Sequence, residues 1–134
     1  MSSEDFKITK EINSLTIRKT SLLSEIHAEQ KRITFIQNNR TDRENERNDS
    51  LTLLKETKTL MQKIENEIAN HQLHLNKDKI HLSSVTNNEQ LISLEHTIKH
   101  AQEKIEDLEN NGFELLDKIE ELEIQIKDCE TFLK

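Results

Sequence analysis

The sequence predicts an all-α protein built as a long antiparallel coiled-coil hairpin. Three observations predict it. The 134 residues include no proline and a single glycine, with 34% charged and 32% hydrophobic residues. Such a chain is rich in residues that lose little rotamer freedom in a helix and poor in those that break one. Apolar residues then recur with the seven-residue spacing of a coiled-coil seam. Finally, one short polar break interrupts the pattern at 83–88. Low hydrophobicity and high charge also mark disordered chains, and the apolar periodicity decides for helix.

The first element is expected over about 4–82. Its seam begins with Ile8, Ile12, Leu15, Leu22, Ile26, Ile33 and Ile36, and has weak points at Lys19 and at Glu29 or Gln30. The stretch "QNNRTDRENERNDS", 37–50, then contains no apolar residue. Two architectures follow. In one, 4–82 is a single helix of roughly 120 Å at the usual rise per residue. In the other, a loop near 37–50 makes the chain a three-helix bundle. The single helix is preferred because the stretch lacks the Gly and Pro of a loop. Pairs such as Arg40 with Glu44 support a helix, although others there are unfavourable. A helix that is polar all round can bridge packed segments. Beyond it, Leu54, Met61, Ile64, Ile68 and Leu75 resume the seam, with Thr57 and His71 as polar members, followed by Leu82 and Val85.

The break reads "SSVTNNEQ". Ser83 and Ser84 are weak helix formers, and Asn87 or Asn88 before Glu89 suits an N-cap with an acid in the first turn. Asn also tolerates the left-handed conformation. A short polar connection implies antiparallel neighbours. An unbroken helix through this region would instead imply a parallel dimer.

The second helix, about 89–134, would be roughly 70 Å long. Its seam is Leu91, Leu94, Ile98, Ala101, Ile105, Leu108, Gly112, Leu115, Ile119, Leu122, Ile126, Cys129 and Leu133. Only Gly112 lacks an apolar side chain, and a local stutter is expected there, with Phe113 and Leu116 taking its place in the core. Cys129 is expected to be buried as a small hydrophobe.

Several function classes lose support. There is no phosphate-binding Gly-rich loop and no nucleophile arrangement in a strand–turn–helix context, so no enzyme is expected. Residues 103–130 carry 11 acidic and 3 basic residues, a local charge of −8 against −7 for the whole chain, which leaves the remainder at +1. A nucleic-acid-binding helix needs a basic stripe, and Arg40, Arg43 and Arg47 alternate with Asp42, Glu44, Glu46 and Asp49. His71 and His74, like His96 and His100, share a helix face, but zinc needs three or four ligands. They are read as solvated or seam residues, and no metal or cofactor is expected. No run of about 18 apolar residues suggests a membrane span. "MSSEDFKITK" lacks the apolar core of a secretory signal. A single cysteine fits a cytoplasmic protein.

Positive function rests on shape. With the turn near residue 86, the return helix would reach back only to about residue 38. The seam Ile8, Ile12, Leu15, Leu22, Ile26, Ile33 and Ile36 would then be uncovered and is the candidate protein-binding surface, for a homo-oligomer or a partner helix. The hairpin tip, Val85, Asn87, Asn88 and Glu89, is the second candidate.

The run "VTNNEQLISLEHTIKHAQEKIEDLE" resembles the coiled-coil part of bacterial zinc-ribbon proteins of the four-cysteine type. Val85, Asn87, Glu89, Leu91, Leu94, His96 and Ile98 fall on the matching places, and "EDLENNGFELLDKIEELE" is similar to that family's acidic Leu/Ile run. The likeness covers about 78–125. It implies an adaptor that binds partner proteins and is linked to flagellar or type III secretion. The alternative it implies is a nucleic-acid-associated factor. Both Cys-x-x-Cys pairs of the zinc ribbon are missing here, so no zinc site carries over and nucleic acid is not expected to be the partner of this segment.

Overall fold

The computed structural model describes residues 2–134. It contains two helices, α1 (Ser3–Leu82) and α2 (Asn88–Leu133), and no strand among the described residues. The protein is an all-α helical hairpin. Its contacts divide into a unit that runs to Glu44 and a second unit, Asn45–Lys134.

The loop near 37–50 that a three-helix bundle requires does not form, because α1 continues through that stretch. Local chemistry accounts for this. Nothing there breaks the backbone ladder, and the Arg40 guanidinium lies 3.6 Å from the Glu44 carboxylate one turn on.

The turn occupies 83–87, between the two helices. The end of α1 tightens into bonds that span three residues. Ser83 N–H donates to the Ile80 carbonyl, and Ser84 N–H to that of His81. Both serine hydroxyls donate to the same two carbonyls, at 2.7 and 2.9 Å. The otherwise orphaned acceptors of a helix end are thereby satisfied. Asn87 is the N-cap of α2, in extended conformation with φ −82° and ψ 128°. Its side-chain oxygen accepts from the backbone N–H of Glu89 at 2.9 Å and of Gln90 at 3.3 Å. No residue described adopts positive φ. The asparagine therefore serves as a cap and not as a left-handed hinge, so the reversal needs no glycine.

Within Asn45–Lys134 the helices run antiparallel along one seam. Near the tip, Leu75, Ile98 and Ile105 form a buried cluster, with Ile68, Leu82, Leu94 and Ala101 packed against it. Further along, Gly112 faces Met61 and Ile64. Lys58 and Glu123 approach to 3.7 Å, and Cys129 meets Glu46. On α2, every seam residue expected from the sequence, Leu91 to Leu133, is buried or half-buried. On α1 the enclosed positions from Arg47 to Leu82 follow the same three-and-four spacing, except for half-buried Glu67 beside Ile68. They include polar residues: Ser50 and Thr57 are buried, while Arg47, His71 and Asp78 are half-buried. Thr57, 2% exposed, directs its hydroxyl to the Leu53 carbonyl at 2.7 Å, which spares the core an unsatisfied group.

The stutter expected at Gly112 does not occur. Gly112 itself is buried, whereas Phe113 is 63% and Leu116 46% exposed. The flexible side chain of Met61 fills the space over the glycine, so the helix has no reason to change phase.

A Cβ at Gly112 would lie 3.4 Å from Met61 Cε, the mobile end of that side chain. Gly112→Ala should therefore stabilise the hairpin by about 0.5–1 kcal/mol through helix propensity. A higher midpoint in thermal unfolding followed by circular dichroism is the expected result, and a lower one would mean that Met61 cannot yield. Asn87→Ala removes the acceptor for two backbone N–H groups and should cost about 1 kcal/mol. Asn87→Ser should recover most of that loss in the same measurement, and equal stability of all three proteins would discount the cap.

Candidate functional site

The first candidate surface lies on α1 within the unit that runs to Glu44. A single helix there presents Ile8, Ile12, Leu15, Leu22, Ile26, Ile33 and Ile36 at seam spacing. Their exposure ranges from 51% at Ile33 to 63% at Leu15. Seam residues of the hairpin behave differently: Leu75 is 3% and Ile98 8% exposed. The same residue types at the same spacing are thus covered in one unit and open in the other. Lys19 and Glu29 occupy the two remaining seam positions, and both are exposed. Glu29 is held by Arg32 at 3.1 Å along the helix. Phe6, Ile17 and Phe35 are also exposed, off the seam.

The second candidate, the hairpin tip, splits by role. Val85 is half-buried within the turn, and Asn87 spends its side-chain oxygen on the cap. Asn88 and Glu89 are exposed. A shallow open depression beside them is lined by His81, Val85, Glu89, Ser93 and Leu94. Such a concavity lacks the enclosure that small-molecule sites use.

The histidine pairs do not converge with other ligands. His71 is half-buried, while His74, His96 and His100 are exposed. Among the described residues, no three His, Cys, Asp or Glu side chains are grouped so as to hold a metal ion. Cys129 is buried at 1% exposure, and its thiol lies 3.6 Å from the Glu46 carboxylate, to which it donates. Arg47, Ser50 and Asp78 were not anticipated as enclosed positions. None of the three is apolar, although each falls on the three-and-four spacing that runs through Leu54 and Leu75. Arg47 also carries the one buried side-chain nitrogen without a hydrogen-bond partner among the described residues.

No helix described is long and apolar enough to cross a membrane. No protein-family model, curated protein or solved structure matches the chain.

Proposed function

We propose that this protein is a non-enzymatic coiled-coil scaffold that binds other protein through the exposed seam of α1. The observation that carries this reading is the contrast in burial. Ile8, Ile12, Leu15, Leu22, Ile26, Ile33 and Ile36 are each more than half exposed, while equivalent residues of the hairpin are enclosed. An exposed, largely apolar stripe in water is costly to maintain and is characteristic of a surface that becomes covered. Its period suits one occupant above others, a second amphipathic helix laid along it. A role in the cytoplasm belongs to this proposal and is supported by the single cysteine. The resemblance to the hairpin of four-cysteine zinc-ribbon proteins extends the proposal to an adaptor linked to flagellar or type III secretion, with Asn88 and Glu89 of the tip as the second contact.

The test uses the full chain with a photo-crosslinking residue in place of Leu22, expressed in cells of its source. The expected product is a crosslink to protein that survives nuclease treatment and high salt. Introducing Ile26→Asp in the same chain should abolish it. A product lost on nuclease treatment or at high salt would favour the nucleic-acid-associated alternative, since phosphate-dominated binding falls steeply with ionic strength. Absence of any crosslink would remove the seam as a binding surface.

A further inference from the structure

We infer that the occupant of the α1 seam is a second copy of this chain, docked antiparallel so that Lys19 of each copy faces Glu29 of the other. This rests on the reading of the seam as a protein-binding surface and narrows it to one partner. Between Ile8 and Ile36 the seam positions are 8, 12, 15, 19, 22, 26, 29, 33 and 36, in an unbroken alternation of four and three. Seven are Ile or Leu. The two exceptions carry opposite charges.

Their placement discriminates between ways of pairing two copies. Antiparallel packing with Leu22 opposite Ile26 of the second copy sets Leu15 against Ile33 and Ile12 against Ile36. The same alignment sets Lys19 against Glu29, and symmetry repeats each layer on the other side of the two-fold axis. Ile8 then lies opposite Arg40, whose aliphatic stem can cover it. Every apolar seam residue from Ile12 to Ile36 meets an apolar one, and both charges meet their opposites. A parallel in-register pair instead stacks Lys19 on Lys19 and Glu29 on Glu29. A shift of one heptad in the antiparallel pair sets Lys19 against Leu22 or Ile36, and Glu29 against Ile12 or Ile26. Charges without partners in an apolar layer are costly, and such residues are an established means of fixing register and orientation. The Arg32 contact does not prevent the pairing. Glu29 has two carboxylate oxygens, and its side chain is 58% exposed.

The experiment is sedimentation equilibrium of the full chain at micromolar concentration. The wild type is expected to be a dimer. Lys19→Glu and Glu29→Lys should each weaken it by about tenfold or more, because symmetry doubles every like-charge layer. The double variant, with both changes in one chain, should restore it to within about threefold of the wild type, a difference smaller than one tenfold step in affinity. In a parallel in-register dimer neither single change would weaken association, since each only exchanges one like-charge layer for another. A wild-type monomer, a dimer indifferent to the single changes, or failure of the double variant to recover would each overturn the inference. Leu22→Asp separates this from the broader reading. A dimer that survives Leu22→Asp is joined elsewhere. A wild-type monomer whose Leu22 still crosslinks to another protein leaves the seam a binding surface with a different occupant.

Discussion

Apolar side chains spaced alternately by three and four residues form a narrow stripe that a second helix covers well, and the hairpin of this protein is organised around covering one such stripe. Neither α1 nor α2 has a globular core to lie on. Isolated helices are held weakly by propensity alone, and most of their stability comes from packing. The turn, the enclosure of Cys129 and the close fit of Met61 over Gly112 all depend on that packing, as does the order of residues 45–82. Where the covering ends, so does burial: no apolar seam residue from Ile8 to Ile36 falls below 51% exposure.

The two sides of the covered stripe are chemically unequal. On α2 it consists of Leu, Ile, Ala, Gly112 and Cys129, whereas α1 contributes Arg47, Ser50, Thr57, His71 and Asp78 among its apolar members. On apolar content alone, α2 would pair well with another α2. The short turn at 83–87 counters this by holding α1 at high effective concentration, so the less apolar partner wins through proximity. The polar members also limit the registers open to α1. A buried Thr57 is tolerated because its hydroxyl returns to its own helix.

Much of this was legible in the residues. The α2 seam could be read position by position, because its Leu and Ile signal is nearly unbroken, and Asn87 announced the reversal through its capping chemistry. The polar part of α1 was harder to read. Hydrophobicity gives no sign that Arg47 and Ser50 sit in the packed unit, since their enclosure is imposed by the opposite end of α2. Gly112 misled for a related reason. Its own side chain cannot fill the layer, and the filling comes from Met61, about 50 residues away in sequence. The exposed seam of α1 was legible as a pattern, but the residues that would cover it carry no label in the sequence. The two seam positions that are not apolar, Lys19 and Glu29, carry opposite charges.

The contact between Cys129 and Glu46 joins residues 83 apart in sequence, whereas Leu82 and Leu94 meet beside the turn. Contacts that close short loops form at the least entropic cost. Folding of the hairpin should therefore start at the turn and zip outward, with fraying in the opposite sense. Cys129 lies near the frayed end and is the chain's single thiol. The rate at which it is alkylated thus serves as a built-in clock for transient opening of the hairpin's mouth, read without any change to the sequence.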